Sequence, residues 1–178
     1  MNDAARSHDP AATPQEHRAT APTVIGCFVL TVSDTKTTET DTSGGVIRDL
    51  LTSAGHRVIG SAIVRDEPAE VQQVVRGACK HPDVQVVITT GGTGITSRDS
   101  TFEAIEQLLE KRLPGFGELF RVLSFQEVGA AAMLSRAQMG IHSRRIVASL
   151  PGSPNACRLA LEKLLLPELG HLVREVSR

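Results

Sequence analysis

Four apolar runs that alternate with segments of helical periodicity constrain this 178-residue chain more than any other feature of its sequence. The runs lie at residues 24–32, 57–64, 84–90 and 145–150. Nearly unbroken apolar runs of this length are typical of strands buried on both faces of a parallel sheet. The sequence therefore predicts an α/β fold of three layers: a mostly parallel, Rossmann-like sheet with helices on both faces.

Short sequence signals mark the ends of several helices. Gly55 follows an apolar helical stripe and is expected to end the first helix. Asp66 or Glu67 is expected to lie at the cap of the second helix. Ser100 and Glu103 have the spacing of a capping box, which predicts the start of a third helix.

The second half of the chain carries weaker signals. Residues 114–117 contain one proline and two glycines and are expected to break the chain. Helical stretches are predicted beyond them, over residues 118–126, 129–138 and 156–166. Ligands gather at the carboxyl ends of strands in open α/β sheets, so the loops after the apolar runs are the first candidates for a site.

The N-terminal segment differs in composition from the rest of the chain. Residues 1–22 contain three prolines and no apolar period. Such a segment cannot bury enough apolar surface to offset the entropy lost on ordering. We therefore predict a flexible tail over residues 1–22 and a single domain over residues 23–178, a length that suits one hydrophobic core.

The composition argues against nucleic acid and membrane as partners. Five Phe with no Tyr or Trp leave few rings to stack on bases, and a net charge of −1 lacks the usual basic excess. No apolar run approaches the roughly 20 residues of a membrane-spanning helix. Cys27, Cys79 and Cys157 form no C-x-x-C pair and are expected to be small buried residues. Reduced thiols fit a cytoplasmic protein.

A glycine-rich segment at residues 91–94 leaves the third apolar run and leads towards Asp99. Glycines let backbone N–H groups approach an anion, and a carboxylate such as Asp99 binds divalent cations that bridge phosphates. Asp66 follows the second run and could share magnesium with Asp99. A plain glycine-rich turn, with Asp66 as a helix cap, explains the same residues, so the pattern leaves both interpretations open.

Two further loops follow apolar runs. Ser33 and Asp34 stand at the end of the first run, in a polar loop long enough to cover a ligand. Residues 151–155 open a helix whose N–H groups, with Ser153 and Asn155, suit an anion. Solvated loop residues and an ordinary turn with a helix cap are the alternatives. The domain's histidines lack zinc-ligand spacing and are expected at the surface: His56, His81, His142 and His171.

A series of motifs extends along residues 24–169 in a single order. They are Thr31-Val-Ser-Asp34, Asp41-Thr-Ser-Gly44, Asp66, Thr89-Thr-Gly-Gly-Thr-Gly94, Arg98-Asp99, Pro114-Gly-Phe-Gly-Glu-Leu-Phe-Arg121, Met133-Leu-Ser-Arg136 and Leu150-Pro-Gly-Ser-Pro-Asn155. In this combination they resemble the MoaB/MogA family of molybdenum cofactor biosynthesis. The matches at residues 41–44 and 118–121 look closer to the MoaB branch.

That resemblance implies a molybdopterin-binding fold and an adenylyltransferase. In active members the terminal phosphate of molybdopterin attacks the α-phosphate of ATP, giving adenylylated molybdopterin and pyrophosphate. The implied catalytic residues, which also hold Mg²⁺, are Asp66 and Asp99. The implied nucleotide and phosphate ligands are Gly91, Gly92, Thr93, Gly94 and Arg98. The implied molybdopterin ligands are Thr31, Ser33, Asp34, Ser135, Pro151, Gly152, Ser153 and Asn155. The family also implies a homo-oligomer, a trimer or a hexamer.

The residues agree with that chemistry but contain one departure. Phosphoryl-type transfer needs mainly positioning and charge neutralisation, which amides, hydroxyls, carboxylates and a metal supply. The family commonly has Val-Thr-Pro-Glu after the Arg-Asp pair, whereas this chain has Ser100-Thr-Phe-Glu103. Phe102 therefore replaces a proline that would pre-set the helix start. A catalytically silent MoaB-type paralogue that only binds molybdopterin remains the alternative.

Overall fold

The computed structural model describes residues 21–178, so residues 1–20 of the predicted tail lie outside the described residues. Within the described part, the strands are β1 Gly26–Val32, β2 Arg57–Val64, β3 Val86–Thr90, β4 Lys111–Arg112, β5 Gln138–His142 and β6 Arg145–Leu150. The α-helices are α1 Thr42–Ser53, α2 Pro68–Lys80, α3 Thr101–Glu106, α4 Pro114–Val128, α5 Pro154–Ala160 and α6 Leu166–Ser177. A 3₁₀ helix spans Gly129–Leu134, and a π-helical segment, Leu161–Leu165, joins α5 to α6. None of the helices in residues 21–178 is long and apolar enough to cross a bilayer.

The strands form one sheet in the order β2-β1-β3-β6-β5-β4. The first four in this order are parallel, and β5 and β4 add an antiparallel edge. The winding direction reverses between β1 and β3, which opens a crevice at their carboxyl ends. The loops that follow β1 and β3 therefore meet where ligands bind in folds of this kind.

Successive residues of β1 explain why helices cover both faces of the sheet. Val29 belongs to an apolar cluster with Ile47 of α1, and this cluster also takes in α4, α5 and α6. Leu30 points to the opposite face and joins a cluster with Val71 of α2 and Ile105 of α3. All of these side chains are fully buried, and each contributes roughly 1.5–3 kcal/mol to folding. The three-layer α/β prediction is confirmed.

Several smaller predictions have clear outcomes. Gly55 follows α1 with a φ of +84°, the left-handed conformation expected of a glycine that ends a helix. The cysteines are all buried and free, as predicted. Burial raises the pKa of Cys27 to about 12 and the pKa values of Cys79 and Cys157 to about 11, which keeps these thiols protonated.

The predictions for the second half of the chain are partly wrong. Residues 129–138 are not one helix, because the 3₁₀ helix ends at Leu134 and β5 begins at Gln138 to pair with β6. Residues 114–117 do not break the chain: Pro114 opens α4, where its missing N–H is tolerated. The last helical stretch begins at Pro154 and continues to Ser177, well beyond the predicted end.

The histidines do not all lie at the surface. Among the described residues, His81 is exposed, whereas His56, His142 and His171 are half-buried. His56 accepts the Ile25 N–H at 3.3 Å, and the Nδ1 atom of His142 lies 2.9 Å from the Leu108 carbonyl oxygen. The rings of His56 and His142 therefore form hydrogen bonds with backbone groups that lie far away along the chain.

Candidate functional site

The glycine loop, Gly91–Gly94, stands at the carboxyl end of β3. Gly91 and Gly92 have φ values of +99° and +62°, in the left-handed region that favours glycine. The N–H of Gly91 donates to the Leu150 carbonyl at 3.1 Å. A Cβ atom on Gly152 would lie 3.2 Å from the Cα of Gly91, so the turn after β6 packs directly against the loop.

The two predicted catalytic carboxylates lie on this loop. A Cβ atom on Gly92 would collide with the carboxylate of Asp66, and one on Gly94 would collide with the carboxylate of Asp99. The glycines therefore leave room for both carboxylates close to the loop backbone. The sheet topology brings Asp66, from the end of β2, to residues that follow β3.

Asp66 is 6% exposed and is held by the start of α3. Its Oδ1 atom accepts hydrogen bonds from the hydroxyls of Ser100 at 2.9 Å and Thr101 at 3.0 Å. The predicted helix start is confirmed, since Ser100 is the N-cap residue of α3, but the Ser100 side chain makes no capping hydrogen bond to its own helix. Glu67, one of the two residues expected at the cap of the second helix, takes the N-cap position of α2, although its side chain makes no capping hydrogen bond.

Asp99 is half-buried and is oriented by Thr96. Its Oδ2 atom accepts the Thr96 hydroxyl at 2.6 Å and the Thr96 N–H at 3.0 Å. These bonds, the hydroxyl foremost, hold the pKa of Asp99 below its ordinary value. The carboxylate is therefore ionised at neutral pH, as a cation ligand must be.

Arg98 is held by carboxylates rather than by the glycine loop. It donates to both oxygens of Asp34, at 2.8 and 3.0 Å, and to Glu67 at 2.8 Å. Hydrogen bonds from Arg98 lower the pKa of Asp34. Asp34 also accepts the Asp66 N–H at 3.2 Å, so this cluster ties the loop after β1 to the end of β2. A role of Arg98 in phosphate binding stays a prediction.

Arg136 is a site residue that carries no predicted role. It donates from Nε to the Thr93 carbonyl at 2.9 Å and from Nη2 to the Gly94 carbonyl, and it pairs through Nη1 with Glu103. Its guanidinium carbon lies 4.8 Å from the ring centroid of Phe102. Arg136 therefore holds the carbonyl groups of Thr93 and Gly94 by hydrogen bonds. A local sequence pattern does not indicate this role, because the contacts join distant parts of the chain.

A cavity of about 340 Å³ brings several predicted residues together. The predicted nucleotide side contributes Gly92, Thr93, Gly94 and Asp99, and the predicted pterin side contributes Ser135, Pro151 and Gly152. Leu134 and Arg136 complete the lining. The two predicted halves of the site thus share one opening beside the turn after β6.

Other predicted pterin ligands lie elsewhere. Ser33 and Asp34 line a larger cavity of about 850 Å³ under the loop after β1. Thr31 is buried, and its hydroxyl donates to Asp41 at 2.9 Å. Asp41 also caps α1, so the hydrogen bond between Thr31 and Asp41 joins β1 to the start of α1.

The remaining predicted pterin ligands already have partners. Ser153 caps α5, and its hydroxyl oxygen accepts the Ala156 N–H at 3.2 Å. Asn155 donates to Glu127 of α4 at 2.8 Å. The helix-cap alternative for Ser153 is therefore observed, and a ligand role for either residue stays a prediction.

The donor atoms of Asp66 and Asp99 are of the kind that magnesium prefers. Asp66 and Asp99 supply carboxylate oxygens beside Gly92 and Gly94, and Asp99 also lines the cavity of about 340 Å³. Within residues 21–178, no three His, Cys, Asp or Glu side chains form a metal cage. Mg²⁺ commonly binds through one or two carboxylates together with substrate phosphates, so a carboxylate pair suits it.

Comparison with known proteins identifies the family. Residues 28–171 match the family described as a probable molybdopterin binding domain. Molybdenum cofactor biosynthesis protein B of Bacillus cereus is 50% identical over 164 residues, 92% of this chain and 97% of that protein. A crystal structure of molybdenum cofactor biosynthesis protein B has 51% identity and a TM-score of 0.86, covering 89% of this chain and 99% of that one.

A more distant relative agrees with this assignment. The crystal structure of the tungsten cofactor synthesizing protein MoaB from Pyrococcus furiosus has 41% identity and a TM-score of 0.78. The match covers 89% of this chain and 100% of that one. On its motifs, its fold and these matches, the chain belongs to the MoaB branch of the MoaB/MogA family of molybdenum cofactor biosynthesis proteins.

Proposed function

We propose that this protein, whose family works in molybdenum cofactor biosynthesis, is a molybdopterin adenylyltransferase. It would transfer AMP from ATP to the terminal phosphate of molybdopterin and release pyrophosphate. The observation that carries the proposal is the cavity in which the glycine loop and Asp99 meet Ser135 and the Pro151–Gly152 turn. The predicted phosphate ligands and the predicted pterin ligands thereby border one cavity.

The chemistry needs no activated side-chain nucleophile. An ionised oxygen of the pterin phosphate attacks the α-phosphorus of ATP, and the bond from that phosphorus to the oxygen bridging to the β-phosphate breaks. The N–H groups of Gly92, Thr93 and Gly94 and the Thr93 hydroxyl would bind phosphate oxygens, while Arg136 holds the carbonyls of Thr93 and Gly94. Asp66 and Asp99 would hold magnesium, which when bound neutralises phosphate charge.

Binding without catalysis is the second candidate, and specific contacts favour it. The carboxylate of Asp66 already accepts hydrogen bonds from Ser100 and Thr101. Arg98 is held by Asp34 and by a second carboxylate, so it is not presented to a phosphate. A protein with these contacts unchanged on binding would retain molybdopterin without transferring AMP.

An assay of the purified chain with molybdopterin, ATP and Mg²⁺ separates the two candidates. We expect adenylylated molybdopterin and pyrophosphate from the wild type. Asp99→Asn should lower the rate by at least about a hundredfold, because it removes a carboxylate that would hold the magnesium ion at the phosphates. The same change at Asp49, which is exposed on α1, is the matched control and should leave the rate unchanged.

The readouts also include binding and folding. Circular dichroism and thermal unfolding should show that Asp99→Asn remains folded. A wild type that binds molybdopterin but forms no adenylylated product would contradict the enzyme and support the binding module. A full rate in Asp99→Asn would remove Asp99 from the proposed mechanism.

The proposal includes a homo-oligomer, a trimer or a hexamer, in line with the family. Large apolar side chains that are more than half exposed lie along α4 and the 3₁₀ helix: Leu119, Val122, Phe125, Val128, Met133 and Leu134. Contiguous exposed apolar surface commonly marks a protein–protein interface. Association of copies through this apolar surface would bury it.

A further inference from the structure

A second cavity, of about 330 Å³, opens at the end of the sheet opposite to the candidate site. Arg57 begins β2, Gln85 directly precedes β3 and Arg145 begins β6, so these lining residues stand at the amino ends of parallel strands. The volume falls within the range of small-molecule pockets, about 300–1,000 Å³. Neither ATP nor molybdopterin, bound at the carboxyl ends of the strands, accounts for this cavity.

Positive charge dominates the lining. Arg57, Arg144 and Arg145 line the cavity with a single carboxylate, Asp83. Among the described residues, none of these four forms an ion pair, whereas Arg98 is paired with two carboxylates. Guanidinium groups that converge without a counter-ion repel one another, and a bound anion relieves that repulsion.

The donors of this cavity are incompletely used. The Nε atom of Arg145 is buried and has no hydrogen-bond partner within residues 21–178. In the described part of the chain, the Nη1 atom of Arg145 donates only to the Arg144 carbonyl, at 3.4 Å. The Gln85 side chain accepts the Gly26 N–H at 3.0 Å through Oε1, which leaves its amide nitrogen as a further donor. Buried donors of charged groups are normally satisfied, so an acceptor is missing here.

The β5–β6 turn places Arg144 at the cavity in an unusual backbone conformation. Ser143 and Arg144 have φ values of +49° and +58°. Hairpin turns with two positive φ values strongly favour Asn-Gly, and a long side chain in this region is uncommon. The two-residue turn accounts for both positive φ values, and the Arg144 side chain is held at the cavity by its Nη2 atom, which donates to the carbonyl of Ser177, another lining residue, at 2.8 Å.

We propose that this cavity binds the phosphate group of a small molecule through Arg57, Arg144 and Arg145. Guanidinium groups donate paired N–H bonds whose spacing matches the oxygens of a phosphate. The amide nitrogen of Gln85 adds a neutral donor. This is a second anion site, separate from the glycine loop and independent of the proposed adenylyl transfer.

Titration of the full chain with pyrophosphate, followed by NMR of assigned backbone amides, tests this site separately from the first. We expect saturable shifts at residues 83–85 and 143–146. Arg57→Gln should weaken this binding about tenfold, the loss expected for one charged hydrogen-bonding partner. Arg76→Gln removes another exposed arginine, on α2, and should leave the affinity unchanged.

Three outcomes would overturn the second site. Shifts confined to residues 91–99 would report phosphate at the glycine loop alone. Equal shifts in KCl of the same ionic strength would mean screening rather than binding. Equal losses in Arg57→Gln and Arg76→Gln, with both variants folded by circular dichroism, would mean non-specific attraction.

Discussion

Phe102 lies against the guanidinium of Arg136, at a position where the family commonly has proline. The ring centroid is 4.8 Å from the Arg136 carbon, within the range of a cation–π interaction. Arg136 in turn donates to the carbonyls of Thr93 and Gly94. α3 begins at Thr101, which places Phe102 in its first turn, beside the arginine that holds the glycine loop.

A double-mutant cycle measures this support. Phe102→Leu removes the ring but keeps an apolar side chain, and Arg136→Met removes the charge but keeps the aliphatic stem. We expect a coupling free energy of about 0.5–1 kcal/mol between the two changes, from urea unfolding of the four proteins. Phe28→Leu with Arg136→Met is the control pair and should show none. Coupling near zero for Phe102 would mean that the ring does not hold Arg136.

The glycine loop is an element whose sequence is dictated by its neighbours. Gly91 approaches the Val32 carbonyl of β1, and Gly92 approaches Asp66 and Thr101, so neither position leaves room for a Cβ atom. Both also have positive φ values. The glycines are local along the sequence, but tertiary contacts explain them. The loop passes between the ends of two strands and the start of α3, where a side chain would collide.

Two Gly→Ala changes, one in the glycine loop and one in α2, should have opposite effects on stability. Gly92→Ala should destabilise the fold by about 1–3 kcal/mol, because it strains a left-handed residue and displaces the Asp66 carboxylate. Gly77→Ala lies within α2 with nothing near its Cβ position, and it should stabilise by about 0.5–1 kcal/mol. Chemical denaturation measures both. A neutral Gly92→Ala would mean that the loop tolerates a side chain.

At the scale of the whole molecule, the exposed apolar surface of α4 is the candidate interface for the proposed homo-oligomer. Phe125 is 62% exposed and Val122 is 58% exposed, whereas Phe116 and Phe120 of the same helix are buried in the core. α4 is therefore apolar on two sides, one towards the sheet and one towards solvent. In the proposed homo-oligomer, a second copy of the chain would cover the outer side.

Light scattering coupled to size exclusion tests this association. The wild type should have the mass of a trimer or a hexamer. Val122→Glu combined with Phe125→Glu should lower that mass, because charged side chains are costly to bury at an interface. Gln73→Glu, at an exposed position on α2, is the control and should keep the wild-type mass. A monomeric wild type would contradict the proposal.

The elements differ in how far they could be predicted from the sequence. β1, β3 and β6 were predictable because they are buried on both faces and therefore continuously apolar. β5 was not, since Gln138–His142 is short and acquires its hydrogen bonds from β6. Ser100 shows the same limit at the site: its spacing to Glu103 predicted a local cap, but its hydroxyl bonds to Asp66 instead.

The sequence by itself determined the α/β class, the family and the glycine loop between β3 and α3. These depend on residues close together along the chain: apolar runs, helical periodicity and glycines at a turn. Only the tertiary structure decided the partners of Asp66, the pinning of the loop by Arg136 and the convergence of three arginines at the opposite end of the sheet. The contact between Arg136 and Thr93 joins residues 43 positions apart, and only the packing of the sheet brings such residues together.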